Sequence, residues 1–440
     1  MFRTRLVARL VGVALVTAII APPPPHARRR TPAATPAPLP QAAPESVGFA
    51  PGGLDKMDAA MQGLIDQKQL AGIVTLVARK GKVVQHKAYG LQDLDKQTPM
   101  TTDTIARVYS MTKPVTGVAM MMLHEQGKWQ PADPIAKHIP EFANLKVYAG
   151  EKDGAPVLEA PMHPPTMGEL MSHTAGFTYG LFGNTPVDQI YRKNNPLEAP
   201  SLQGMIDRLS TMPLLYQPGT RWAYSVSVDI QGYLVEKLSG QTFPEFLRTK
   251  LFEPLGMVDT AFFVPAAKLS RAATIYAYDK TKAGLVPAPG EVTVTSLPGL
   301  PSGGGGLYST AADYFRFAQM LLNNGELDGT RILKKSSVDM MRTNVLSEEV
   351  LKSKSGIGQA QFSAAQGFGY DFAVVLDPEG AKRQVGKGSY WWWGIAGTWF
   401  WIDPTNDLVA IGIIQRRGGF PGAANHEDLQ RQVVYEALSK

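Results

Sequence analysis

Ser110-Met111-Thr112-Lys113 is the stretch on which the reading of this chain turns. It follows a run over 104–108 that reads as a strand. It precedes an apolar, Met-rich run over 115–123 that reads as a helix. A Ser and a Lys three apart at a helix start lie on one face, one turn from each other. That places an amine or ammonium beside a hydroxyl, one way to activate a weak nucleophile. Pro114 fits only the first turn of a helix, so Ser110 is expected at or near the helix N-terminus. There the helix dipole and free backbone N–H groups favour negative charge. The pattern Ser-x-x-Lys occurs once in the chain. Because so short a pattern also arises by chance, its partners decide its meaning.

The bulk composition excludes several classes of function. A chain of 440 residues with 44% hydrophobic content can bury a large core. Its formal charge of +6 is carried by Arg3, Arg5, Arg9, Arg28, Arg29 and Arg30, with no acidic residue among the first 30. The remainder is near neutral, which gives a nucleic-acid partner no electrostatic support. With no cysteine, a disulfide, a thiolate metal site and a cysteine nucleophile are all excluded.

The start of the chain reads as an export signal over 1–21. Arg3, Arg5 and Arg9 form a charged region, followed by a short apolar run over 10–21. That run is short for a membrane span, leaving an uncleaved anchor as the alternative to removal. The protein is therefore expected to be exported, periplasmic or secreted, with no membrane insertion beyond that segment. A Pro- and Ala-rich stretch over 22–44 reads as a solvated tether. One folded domain is expected over 45–440.

Within that domain, apolar spacing predicts a helix over 54–70 and strands over 73–78 and 83–89, joined by Lys80-Gly81-Lys82. The middle, roughly 115–262, is richer in helix patterns, as at 202–209 and 228–238. Strands return over 370–376, 390–402 and 408–415, and 426–438 closes the chain as a helix. This order implies an α+β unit. An antiparallel sheet built from both chain ends is flanked by helices, with a mostly helical lobe inserted between them. The cleft between the lobes is the default site.

Two segments offer partners for Ser110. Tyr224, in Trp222-Ala223-Tyr224-Ser225-Val226-Ser227, sits at a loop-to-helix junction. A phenol beside an ammonium gives up its proton more readily and can serve as a general base. The bland alternative is a ring in the core with its hydroxyl on backbone. The second segment is Tyr390-Trp391-Trp392-Trp393-Gly394-Ile395-Ala396-Gly397-Thr398-Trp399, with four tryptophans in nine residues. Its glycines suggest a close approach to the backbone.

Together these segments resemble the serine β-lactamase and penicillin-binding-protein-like hydrolases. The resemblance is nearest to the class C-like branch that includes the family VIII carboxylesterases. That family carries Ser-x-x-Lys, then a Tyr-x-Asn or Tyr-Ser motif, then Lys-Thr-Gly or Trp-Gly-Gly, in this order. Here these fall on Ser110 to Lys113, Tyr224 to Val226 and Trp392 to Gly394. Two further segments resemble the same family: Glu169-Leu170-Met171-Ser172-His173-Thr174-Ala175-Gly176, and Ser302-Gly303-Gly304-Gly305-Gly306-Leu307-Tyr308-Ser309-Thr310.

The resemblance implies a β-lactamase/transpeptidase-like fold and a serine hydrolase working without metal or organic cofactor on a small-molecule ester or amide. It implies Ser110 as nucleophile, with Lys113 and Tyr224 sharing the general-base work. It implies the backbone N–H groups of Ser110 and Ile395 as the oxyanion hole. Tyr109, Val226, Trp392, Trp393 and Gly394 would line the substrate pocket. Two departures bear on substrate. Val226 stands where an amide side chain is expected, and Trp392 stands where the Lys of Lys-Thr-Gly would hold a β-lactam carboxylate. Both point to neutral esters rather than efficient β-lactam cleavage. Trp393 also departs from the second position of Trp-Gly-Gly.

His173 invites a Ser-His reading, but no Gly-x-Ser-x-Gly elbow exists in the chain. It is expected to be structural, bonding backbone near Gly176. His124 and His138 have no zinc-ligand spacing. The glycine run 303–306 lacks the Gly-Lys-[Ser/Thr] of a phosphate loop. The competing expectations are therefore an exported carboxylesterase, the same machinery acting on amides (β-lactamase, D,D-peptidase or D-aminopeptidase), and a non-catalytic ligand-binding protein on this fold.

Overall fold

The structure is a computed structural model that describes Phe2 and residues 38–153, 155–419 and 425–439. The chain divides into two units, 1–34 and 35–440. The expected signal segment and the first part of the expected tether lie outside the described residues, apart from Phe2.

The second unit is built on an eight-stranded antiparallel sheet. In chain order its elements are α1 (Lys56–Asp66), β1 (Gly72–Arg79), β2 (Lys82–Asp93), β3 (Thr98–Pro99), α2 (Thr112–Glu125), α3 (Ser227–Ser239), α4 (Ala311–Leu322), β4 (Gln366–Phe368), β5 (Ala373–Val375), β6 (Tyr390–Trp393), β7 (Trp399–Asp403), β8 (Leu408–Ile414) and α5 (His426–Glu436). The strand order is β4-β5-β6-β7-β8-β1-β2-β3. The two chain ends meet at its centre, where Ile73 pairs with Ile414 and Arg79 with Leu408. These strands read as continuous apolar runs because both of their faces are covered.

The covering follows from strand alternation. In β7, Trp399 donates its indole N–H to Gln430 and Trp401 donates to the Tyr435 hydroxyl, both on α5. Phe400, between them, packs its ring 4.9 Å from Tyr314 of α4. Helices α5 and α4 therefore lie on opposite faces of the sheet. Helix α2 is buried at every position from Thr112 to Met121. A helix apolar nearly all round belongs in a core, and this one packs against α3. Most of the remaining helices, including Met167–Met171, Pro186–Lys193 and Leu202–Leu209, fall between α2 and residue 255.

Several expectations are corrected. The run 104–108 supplies only a two-residue strand, Ala106–Arg107, paired with Tyr308–Ser309 away from the main sheet. The chain is already turning there, with Val108 in a helical conformation. The expected strand 390–402 is two strands, because Gly394 and Gly397 form a turn in which the Gly397 N–H donates to Gly394 O. The first helix stops at Asp66 rather than 70. The ordered domain begins before Glu45: Val83 donates to Pro40 O at 2.7 Å, and Ala42 donates to Val83 O at 3.1 Å. Backbone bonds to the end of the first hairpin, which composition does not register, hold this segment.

Candidate active site

Ser110 sits in a single 3-10 turn, Tyr109–Met111, that runs directly into α2. Tyr109 has φ +45°, a left-handed conformation that is strained for an aromatic residue. The turn is pinned on several sides. Val108 N–H donates to Leu307 O at 2.9 Å. Val108 O accepts the Thr398 hydroxyl at 3.2 Å, and the Tyr314 hydroxyl donates to Met111 O at 2.9 Å. The Tyr109 hydroxyl donates to Glu291 at 2.6 Å, and Glu291 also pairs with Arg107 and Arg417. Although burial works the other way, Tyr109 and the two guanidiniums hold the Glu291 carboxyl below its usual range. Ser110 itself is only partly covered.

Lys113 is 2% exposed. Its Nζ donates to Ser110 Oγ at 3.2 Å and to Gly304 O at 2.7 Å. It lies 4.5 Å from the ring centroid of Tyr224 and 5.3 Å from that of Tyr179. An ammonium over a phenol face is attracted by the ring quadrupole. Gly304 is placed by Asp229 of α3, whose Oδ1 accepts its N–H at 3.0 Å and the Ser302 hydroxyl at 2.5 Å. Asp229 Oδ2 accepts the Tyr179 hydroxyl at 3.3 Å. A Cβ on Gly304 would lie 2.5 Å from Asp229 Oδ2, so the loop can close here only on glycine. Burial raises the pKa of Asp229, while Lys113 and these donors oppose the rise. Asp371, under Gly117 one turn along α2, is also fully buried. Burial pushes its carboxyl well above the usual range, against a bond from Gln231 and the charge of Lys113.

Tyr224 is half-buried in a cluster of rings. Trp222 stacks on it at 5.8 Å with an interplanar angle of 12°. Trp392, 5.6 Å away, donates its indole N–H to the Tyr224 hydroxyl at 3.3 Å. His173 packs 5.2 Å from the ring, and its Nδ1 pairs with the Ser225 hydroxyl at 3.0 Å rather than with backbone near Gly176. Burial, and after it Lys113, push His173 well below its ordinary pKa. A neutral imidazole on Ser225, with the rings of Phe368 and Trp222 packed at steep angles beside it, supports the Tyr224 loop. His124 bonds Trp129 O and His138 pairs with Asp133. Among the described residues no three His, Asp or Glu side chains gather as a metal site requires.

The strand β6 closes on the Ser110 turn at Gly394. A Cβ there would lie 2.4 Å from Val108 O and 2.3 Å from Thr398 Oγ1. This contact sets the backbone at 394–395 against the turn that precedes Ser110. The Ile395 side chain faces outward, 51% exposed.

The fold thus brings together Ser110, Lys113, Tyr224, Trp392 and Gly394. Two of the expected pocket residues have little exposed surface. Val226 is buried at the start of α3, and Tyr109 is buried with its hydroxyl occupied by Glu291. Trp393 is half-buried against Gly358. Sequence reading missed Asp229, Tyr179 and Glu291. Only Asp229 left a signal, as a lone acid between Val228 and Ile230 in an apolar helix. Beside Tyr224 a cavity of about 350 Å³ is bounded by Phe182, Leu215, Tyr216, Arg221, Trp222 and Ile357, among others.

Comparison with known proteins gives the family and the fold. The family model described as Beta-lactamase matches residues 57–435. The chain is 36% identical over 369 residues to Protein Rv1367c of Mycobacterium tuberculosis, covering 82% of this chain and 90% of that protein. It is 29% identical to Esterase EstB of Burkholderia gladioli, covering 81% and 88%. Among solved structures it resembles EstCE1, described as a hydrolase with promiscuous acyltransferase activity. The TM-score is 0.73 at 25% identity, covering 87% of this chain and 98% of that one.

Proposed function

The chain belongs to the beta-lactamase family of serine hydrolases, and from that premise we propose that it is an exported enzyme that cleaves carboxylic esters through an acyl-enzyme on Ser110. The observation that carries this reading is the contact between the buried Lys113 ammonium or amine and Ser110 Oγ at 3.2 Å, at the start of a helix.

Ser110 Oγ attacks the ester carbonyl, and its proton passes to the Lys113/Tyr224 pair. The new oxyanion is held by the N–H groups of Ser110 and Ile395. Collapse breaks the bond to the alcohol, which leaves with the proton. Water then adds to the acyl-enzyme and returns Ser110. No step calls for a cofactor. Ester rather than β-lactam substrates are supported by Trp392, an indole where a carboxylate-binding Lys would stand, and by the likeness to EstB. The composition of the first 21 residues supports export to the periplasm or medium.

Hydrolysis of p-nitrophenyl esters from C2 to C12, beside a chromogenic cephalosporin, tests the reading. The expected result is ester turnover that falls at least ~10³-fold in Ser110→Ala, with little cephalosporin cleavage. Dominant cephalosporin turnover would replace the ester reading by the amide one. Ester turnover that survives Ser110→Ala would remove Ser110 as nucleophile. The likeness to EstCE1 favours acyl transfer to alcohols as a second outlet, visible as transesterified product when alcohols are added.

A further inference from the structure

The 350 Å³ cavity beside Tyr224 has a definite chemistry. Part of its lining is apolar and aromatic, from Phe182, Leu215, Trp222 and Ile357, and much of the rest is polar, from residues such as Thr178, Thr185, Ser355 and Gln361. Two cations stand on its walls. Arg221, three residues before Tyr224, lies 5.0 Å over the Tyr216 ring. Lys354 comes from the facing segment just after the helix Glu348–Lys352 and has φ +51°. Among the described residues neither has a carboxylate within ion-pair distance.

The cavity wall holds one acid, and it is not available to them. Asp188 is 1% exposed. Its oxygens accept the hydroxyls of Thr178 and Thr185 and the Thr185 N–H. The other cations near the reacting centre are also engaged. Arg107 and Arg417 are both held by Glu291, and Lys113 bonds Ser110 and Gly304. A cavity of mixed lining, with an apolar and aromatic part and two exposed cations outside any ion pair, sharing its Tyr224 wall with Lys113 and Trp392, suits a ligand with an apolar segment and an anionic end.

We propose that this cavity is a substrate subsite in which Arg221 and Lys354 hold a carboxylate, so that the preferred substrates are esters whose acyl or alcohol part ends in a carboxylate. The proposal rests on the ester-hydrolase reading. It places the anion on Arg221 and Lys354 in the wall beside Tyr224, not on the strand where the family's Lys would stand. Trp392 leaves that strand uncharged, and charge complementarity has moved to the loop wall. The expectation of neutral esters rested on Val226 and Trp392 and took no account of Arg221 and Lys354.

The test compares kcat/KM for the p-nitrophenyl monoester of suberate with that for p-nitrophenyl octanoate. The variants are Arg221→Gln, Lys354→Gln and the pair together. The readout is the ratio of the two rates, which damage to the fold or to Ser110 lowers equally in both. We expect wild type to favour the monoester. The preference should fall about tenfold in the double variant, the size of one partly exposed charge-assisted bond. It should also shrink as NaCl rises from 0.05 to 0.5 M. Calorimetric binding of monomethyl suberate against dimethyl suberate to Ser110→Ala provides a readout independent of turnover. Tighter binding of the anion, lost on adding both cation substitutions, supports the subsite even if wild type hydrolyses no ester and the esterase reading fails. Equal binding of the two, or a rate ratio unmoved in the double variant, overturns the subsite while leaving the esterase reading intact.

Discussion

The Trp392 indole N–H donates to the Tyr224 hydroxyl at 3.3 Å. This single bond ties β6 to the loop before α3, two segments 168 residues apart in the chain. It also shows which of the three consecutive tryptophans faces the reacting centre. Trp391 turns away, with the Arg383 guanidinium 3.6 Å from its ring centroid.

Replacing Trp392 by Phe removes that donor and keeps most of the ring. A neutral hydrogen bond contributes ~1 kcal/mol, so ester kcat/KM should fall about fivefold. The loss should appear in kcat more than in KM. Rates equal to wild type in steady-state assays would show that the bond does not orient Tyr224.

Asp229 gathers the Gly304 N–H, the Ser302 hydroxyl and the Tyr179 hydroxyl around the Lys113 contact. Asp229→Ala strands one buried and two part-buried donors, so unfolding free energy should drop by roughly 3–5 kcal/mol and activity should fall with it. Asp229→Asn keeps an acceptor for the first two and should lose less than half as much. Urea unfolding of both variants checks this, and equal losses would contradict the assigned role.

The left-handed Tyr109 is held by Glu291. Its backbone strain is of order 1–3 kcal/mol, and release of its anchor should let the Ser110 turn relax. Glu291→Ala is expected to lower kcat about tenfold with KM little changed, and Glu291→Gln should fall between. A change confined to KM would instead place Glu291 in substrate binding.

His426 carries a pH dependence of stability. Burial, reinforced by Arg416, lowers its pKa to about 4. Its Nε2 stands 3.0 Å from the Arg416 guanidinium, which donates to it, so the native imidazole must be neutral. The folded value lies below the unfolded one, about 6.5 for histidine. The contribution is thus complete above pH ~6.5 and is lost as pH falls toward 4, up to about 3 kcal/mol in all. Melting temperatures between pH 7 and 4 should fall less steeply in His426→Gln than in wild type. Parallel slopes would exclude this titration.

Much of the candidate site was legible because its residues stand at local spacing. Ser110 and Lys113 are one helical turn apart, and that relation holds wherever the helix goes. The three motifs and their order were legible for the same reason, as was a sheet drawing strands from both ends. Their apolar runs at 73–78 and 408–415 match β1 and β8 closely. The failures lie where long-range contacts override local pattern. Residues 104–108 have strand composition, yet they turn to deliver Tyr109 because Leu307 and Thr398 bind Val108. The resemblance gave Val226 as a pocket residue, while the burial of its side chain at the start of α3 is a tertiary contact that the motif does not register.

The sequence by itself determined the family and singled out Ser110, Lys113 and Tyr224 as the candidates for its chemistry, because each rests on residue type at short fixed spacing. Only the tertiary structure decided what holds them. Asp229 sets Gly304 on Lys113, Glu291 clamps Tyr109, Trp392 reaches Tyr224, and Arg221 and Lys354 face one cavity. These pairs lie up to hundreds of residues apart, and no local propensity encodes a contact made only when a buried helix and a sheet close on one another.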